Sequence, residues 1–170
     1  MKRVILLCIT TVSVYSNDLI SGMVFRVSDG DTITIKNDIN EDYTKCRLYG
    51  IDAPEKSQPY GPEAKRFLSQ MVLGRDIQYR VVSKDVYGRA VCIVITTDEV
   101  PNLEINEHMV RSGLAWAYVQ YLKKDKETLK RYSTLQEEAM KSRIGLWQDP
   151  NPQPPWEYRK RVKIKDENND

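Results

Sequence analysis

From residue 19 to residue 36 the sequence is two runs rich in β-branched residues, broken once, at Asp29-Gly30. An Asp-Gly pair between two such runs is a strong hairpin signal, because the tight turns that match strand twist need residues tolerant of positive φ. The second run alternates, Thr32, Ile33, Thr34, Ile35, as a half-buried strand should. The chain is thereby committed to an antiparallel β start. A third strand is predicted over residues 44–51, with Cys46 and Leu48 on one face and Arg47, Tyr49 and Ile51 on the other.

Tyr60-Gly61-Pro62 then opens a helix whose Ala64, Phe67, Leu68, Met71 and Val72 share a face, closed by Gly74. Two more strands are predicted over residues 76–82 and 89–96, joined by the turn Asp85-Val86-Tyr87-Gly88. A short helix runs from about Asn106 to Gly113 and is followed by the aromatic stretch Trp116, Tyr118, Tyr121. A longer helix over residues 126–142 places Leu129, Tyr132, Leu135, Ala139 and Met140 on one side and stops at Gly145. Five short strands with a helix between the third and fourth predict an α+β, mainly β fold: a five-stranded barrel of the OB type with about three helices.

Met1-Lys2-Arg3, an apolar run and Ser16 form the pattern of a signal peptide over residues 1–16, too short to span a bilayer. Export to the periplasm or the medium is therefore expected, with no membrane attachment after processing. Residues 17–148 suffice for one domain with a real core. From residue 149 the chain is Pro-rich, then charged, with no period of either kind, so a tail lying over the surface or disordered is expected.

Without Lys2 and Arg3, 24 basic residues face 24 acidic ones, so a polyanion would have to be held by local charge. Such a bias exists: residues 44–90 contain nine Lys or Arg and five Asp or Glu. Outside the leader only Cys46 and Cys92 remain, with no CxxC, which argues against zinc. An oxidising compartment would permit a disulfide between them, and two buried thiols are the equal alternative. The single His108 sits in an apolar-spaced segment and reads as a packing or helix-surface residue. Chemistry built on His pairs or a Ser-His-Asp triad has nothing else to draw on, so carboxylates, Arg and a metal must carry any catalysis.

Three short motifs put such groups at strand ends: Asp29-Gly30-Asp31-Thr32, Arg47 through Asp52-Ala53-Pro54-Glu55, and Tyr87-Gly88-Arg89. Each alone is common turn text or a structural salt bridge. Pro54 pushes Ala53 away from helical angles, so Asp31, Asp52 and the Ala53 carbonyl could surround one cation. Two carboxylates, a carbonyl and waters are hard oxygen ligands that suit calcium. Glu55 is then free as a base, and Arg47 and Arg89 can each present a planar fork to a phosphate. A cation, a base and donors for a developing dianion are the requirements of phosphodiester hydrolysis.

These motifs, with Cys-Arg-Leu-Tyr-Gly-Ile-Asp-Ala-Pro-Glu at 46–55, Tyr-Gly-Pro-Glu-Ala at 60–64, Asp-Val-Tyr-Gly-Arg at 85–89, Asn-Glu-His-Met-Val-Arg-Ser-Gly-Leu-Ala at 106–115 and Gly-Leu-Trp at 145–147, closely resemble the staphylococcal nuclease family. The similarity runs from about Met23 to Trp147. It implies an OB barrel with helices and a calcium-dependent nuclease acting on DNA and RNA with little sequence specificity, leaving 3′-phosphates; no stable protein partner is implied, and a monomer is the expectation. Carried over by position, it implies Asp31, Asp52 and the Ala53 carbonyl as calcium ligands, Glu55 as the base, Arg47 and Arg89 on the phosphate, and Tyr87 and Tyr118 lining the nucleotide pocket. Ala53 stands where the best-known member has Thr, Val86 stands where it has Lys, and the loop 56–59 after Glu55 is short. The competing expectation is a non-catalytic nucleic-acid-binding or protein-interaction OB module; such modules typically lose these acids and Arg residues, all of which are present here.

Overall fold

A computed structural model of the protein describes residues 19–97 and 102–167. The leader expected over residues 1–16 lies outside them. Strands β1 (Ile20–Val27), β2 (Thr32–Asn37) and β3 (Tyr43–Leu48) form an antiparallel meander, and β5 (Asp76–Lys84) and β6 (Ala90–Thr96) complete a closed barrel in the order β1-β2-β3-β6-β5. The pair β3 and β6 is parallel, with Arg47 opposite Val91. Closure leaves none of these five strands with an unpaired edge. Bulges at Val24/Arg26 and Val81/Ser83 supply the bending that closure requires.

The strand expected over 44–51 is interrupted. Gly50 takes a φ of 75°, β3 ends at Leu48, and a separate short strand β4 (Ile51–Asp52) pairs with β7 (Trp116–Ala117). The break turns Ile51 from the outer face, where simple alternation put it, into the core, where it is fully buried. Cys46, Leu48 and Cys92 point inward as alternation requires. Cys46 and Cys92 form a disulfide with Cα atoms 6.0 Å apart.

Helix α1 (Gly61–Val72) lays Ala64, Leu68 and Val72 on the barrel core, α2 (Ile105–Arg111) buries Ile105, Met109 and Val110, and α4 (Lys126–Lys141) buries Tyr132, Leu135 and Ala139. Met140, expected on that buried side, is exposed. The short helix α3 (Val119–Leu122) and a 3₁₀ turn (Gly145–Gln148) connect these elements. Asn106 ties helix to barrel: its side chain accepts from Val94 N at 3.0 Å and donates to the carbonyls of Tyr49 and Cys92 at 3.0 and 2.9 Å, all fully buried at its own position. His108 stacks on Phe67 of α1, with ring centroids 5.4 Å apart.

The segment from residue 149 holds a helix that the sequence pattern did not signal, α5 (Pro155–Glu167). Its start is orderly: Pro155 occupies the first helical position, and the Pro154 carbonyl accepts from the amides of Glu157 and Tyr158. No helix among the described residues is long and apolar enough to cross a membrane.

Candidate active site

The β1–β2 turn and the β4 segment meet at one rim of the barrel. Gly30 makes that meeting possible, since a Cβ there would lie 2.7 Å from the Ala53 Cβ and 2.8 Å from the Ala64 Cβ. The turn can therefore press against both the 52–55 segment and α1, which sets Asp31 beside Ala53. Asp31 is 4% exposed, and its Oδ2 accepts from the Ala53 amide at 3.1 Å while its Oδ1 accepts from the Thr32 hydroxyl at 2.9 Å.

Arg47, on β3 opposite Thr32, bridges the acids: Nη1 donates to Asp31 Oδ1 at 3.1 Å and Nη2 to Asp52 Oδ1 at 2.7 Å. Asp52 has no exposed surface. One guanidinium thus serves two buried carboxylates. Burial pushes the Asp31 carboxyl up to about 7, with Asp29 and Asp52 adding repulsion, while Arg47 and the Ala53 amide pull the other way. Burial also works against the Arg47 charge, but Asp31 and Asp52 outweigh it and raise the Arg47 pKa.

Glu55 follows in an extended stretch set by Pro54 and is held by a tight loop. Its amide donates to Gln58 Oε1 at 3.1 Å, and the Gln58 amide returns to the Glu55 carbonyl at 2.9 Å. Gly61 is required where the loop folds back, because a Cβ there would sit 1.9 Å from the Glu55 carbonyl oxygen. The Glu55 side chain itself reaches solvent at the cleft mouth.

Arg89 stands at the end of the β5–β6 turn. Asp85 clamps it, accepting from Arg89 Nε at 2.7 Å and from its amide at 2.9 Å, and the guanidinium also lies over the Tyr87 ring, 5.6 Å from the centroid. Burial opposes ionisation of Asp85, yet the donors from Arg89 and Tyr87 hold its carboxyl below the usual range. Tyr87 is 81% exposed, and Tyr118 packs edge-on against Tyr121 with centroids 4.6 Å apart. Burial, then Tyr121 and Asp52, raise the Tyr118 pKa.

A cleft of about 340 Å³ gathers these residues: Asp31, Arg47, Ala53, Glu55, Tyr87, Arg89 and Tyr118 all line it, and Asp52 lies buried directly behind. Every residue singled out by sequence is therefore at one place. Val86 lines the cleft where the family resemblance offered a Lys, and Lys84 lines neighbouring grooves instead. Asp85 and Tyr121, which sequence reasoning gave no role, also form its wall, as does Arg159 from α5. Arg159 donates to Asp52 Oδ1 and Oδ2 at 3.1 and 2.8 Å and to Glu55 Oε1 at 2.7 Å. Those bonds to Asp52, then Glu55, raise the Arg159 pKa against the opposing effect of burial. The only signal for it was the pair Trp156 and Tyr158, aromatic residues out of place in a charged tail, behind Pro154-Pro155.

Such a cleft offers carboxylate oxygens, guanidinium forks and aromatic faces, which together suit a phosphate flanked by bases. The family model described as staphylococcal nuclease homologue matches residues 45–149. The chain belongs to the staphylococcal nuclease family. It is 36% identical over 147 residues to a micrococcal nuclease of Shigella flexneri, covering 84% of this chain and 82% of that one. It is 38% identical over 160 residues to a Haemophilus influenzae protein named an uncharacterized endonuclease, covering 94% and 84%. A similarly named endonuclease of Escherichia coli O157:H7 is 38% identical over 142 residues, covering 84% and 86%. Membership fixes the enzyme class as a hydrolase of the nuclease type.

The donor set fits a hard cation of flexible coordination. Among the described residues no three acidic, His or Cys side chains gather into a metal cage. Asp31 nevertheless has Arg47 as its guanidinium partner and shares it with Asp52, and burial holds its carboxyl well above its ordinary range, the mark of an acid that further positive charge would stabilise. A shell of few protein oxygens completed by water and substrate is what calcium tolerates.

Proposed function

We propose that the protein is a calcium-dependent nuclease that hydrolyses phosphodiester bonds of DNA and RNA with little sequence specificity and leaves 3′-phosphate ends. The observation that carries this reading is the convergence of Asp31, Asp52, Glu55 and Arg47 on one cleft with an aromatic wall, in a chain of this family. Asp31, Asp52 and the carbonyl of Ala53, the residue whose amide donates to Asp31, would hold calcium. Bound there, calcium would offset phosphate charge and stabilise the pentavalent transition state.

Glu55 takes the proton of a water whose oxygen attacks phosphorus, the bond from phosphorus to the 5′ oxygen breaks, and that oxygen leaves as the 5′ hydroxyl on taking a proton from solvent water, with phosphate left on the 3′ side; Glu55 then returns its proton to solvent. Arg47 and Arg89 donate to the phosphoryl oxygens as negative charge grows there. For Arg89 this requires part of its fork to face the cleft while Nε stays on Asp85, which orients the guanidinium without consuming all five donors. Tyr87 and Tyr118 offer ring faces to bases, an interaction indifferent to sequence. The signal-peptide pattern of residues 1–16 supports release outside the cytoplasm, where a Cys46–Cys92 disulfide would persist, and we read the mature protein as a monomer.

The test is cleavage of single-stranded DNA and of RNA in calcium, in magnesium, and in excess calcium chelator, with end groups identified by phosphatase treatment and relabelling. Cleavage of both polymers in calcium alone, yielding 3′-phosphates, is expected. Full activity in magnesium with calcium chelated, or 5′-phosphate products, would contradict the reading.

A further inference from the structure

Helix α5 is fastened across the cleft mouth by contacts that the barrel itself does not need. Trp156 meets Trp116 edge-on at 5.6 Å and lies against Tyr118 at 5.3 Å with the rings inclined by 31°. The Tyr158 and Ser57 hydroxyls are 2.8 Å apart, and Gln58, the residue that holds the Glu55 loop, donates to the Gln153 carbonyl at 2.6 Å. One turn beyond Trp156, Arg159 spreads its fork over the buried Asp52 and the base candidate Glu55. Surface ion pairs are commonplace and weak. Here one partner is a carboxylate with no exposed surface, and the geometry is bidentate.

Arg159 and a divalent cation would claim the same oxygens. Asp52 Oδ1 already accepts from Arg47 and from Arg159, and Oδ2 accepts from Arg159, so both oxygens of that carboxylate are occupied by guanidinium. Glu55 Oε1 is held by the same side chain. A base that donates its lone pair to a guanidinium is a poor acceptor for a water proton.

We propose that Arg159 is an intramolecular counter-ion for Asp52 and Glu55, and that a divalent cation binds by exchange with it, releasing α5 from the cleft and Glu55 for catalysis. The exchange rests on the reading of Asp52 as a cation ligand. It makes cation affinity and the docking of α5 two sides of one equilibrium: whatever loosens the helix tightens the cation, and the cation loosens the helix.

Calorimetric calcium titration of the full-length protein, of Arg159→Gln and of Trp156→Ala tests this, alongside hydrogen exchange of residues 155–167 with and without calcium. Both variants are expected to bind calcium more tightly than the parent, by roughly tenfold if the released state is populated about one-tenth of the time in the parent. Calcium is expected to speed exchange in α5 of the parent. Unchanged or weaker calcium binding in both variants, with the parent binding normally, overturns the exchange while leaving the calcium site standing. Tightening in Arg159→Gln alone, with Trp156→Ala and α5 exchange unmoved, reduces Arg159 to a background charge and also overturns it. Absence of calcium binding in the parent and both variants defeats the calcium reading and the exchange together.

Discussion

Replacing Arg47 by Ala in the calcium-free protein removes the guanidinium that Asp31 and Asp52 share, with side chains 6% and 0% exposed. Stripping one partner from a buried ion pair costs about 3–5 kcal/mol. The lower end applies here, because Arg159 still pairs with Asp52 and, among the described residues, Asp31 alone loses its ion-pair partner. About 3 kcal/mol corresponds to a fall in Tm of ~6–12 °C for a chain of this size. The pH dependence makes the cause identifiable. Asp31 titrates at about 7 folded and 3.8 unfolded, so the folded state holds the extra proton between those values and parent stability declines as pH rises through that window, then levels off above 7. Without Arg47 the folded pKa moves higher still. The variant should therefore keep losing stability above pH 7, where the contribution of Asp31 to the parent has levelled off. Urea unfolding from pH 5 to 9 in chelator would read this directly, and saturating calcium should narrow the gap by resupplying positive charge. Parallel stability profiles for parent and Arg47→Ala above pH 7 would refute the electrostatic account of Asp31.

Asn106→Ala strands the Val94 amide and the Tyr49 carbonyl in the core, a loss of about 3 kcal/mol at 1–3 kcal/mol per orphaned group, visible as a lowered urea midpoint. Burial against α1 lowers the His108 pKa from 6.5, so the unfolded chain takes the proton first and stability should fall as pH drops through 6.5; being the only histidine, its NMR titration is unambiguous, and a midpoint above 6.5 contradicts the packing. Denatured, unreduced protein should expose no thiol from Cys46 or Cys92, and reduction should cost about 4 kcal/mol for a loop closed over 46 residues; two labelled thiols at those positions would break the assignment.

Local grammar made most of the barrel legible. The Asp29-Gly30 turn, the alternation after it and the Pro62 helix start all act over a few residues, and the structure follows them. Alternation failed where a single dihedral intervened: Gly50 at positive φ resets the face, so Ile51 goes inward and Asp52 ends up buried beside Arg47. The cleft residues were legible because each motif sits at a strand end, and closure of the barrel brings strand ends together. Arg159 was not. It lies on a helix with little apolar periodicity, held by two aromatic rings and a proline start, and its partners are more than 100 residues away in sequence. Asp85 was passed over for a different reason, since an acid in a turn reads as turn chemistry until the structure shows it gripping Arg89.

A base and a metal ligand fail differently when substituted, which separates the role proposed for Glu55 from those proposed for Asp31 and Asp52. Single-turnover cleavage of single-stranded DNA by Glu55→Gln and Asp31→Asn across a calcium titration, beside calorimetric calcium binding, addresses it most directly. Glu55→Gln should bind DNA much as the parent does, bind calcium at least as tightly because Arg159 loses one of its partners, and cleave about 10²–10⁴-fold more slowly at every calcium concentration. Asp31→Asn should bind calcium weakly and recover part of its rate as calcium rises. A Glu55→Gln protein that cleaves at the parent rate, or that excess calcium restores, would contradict the account.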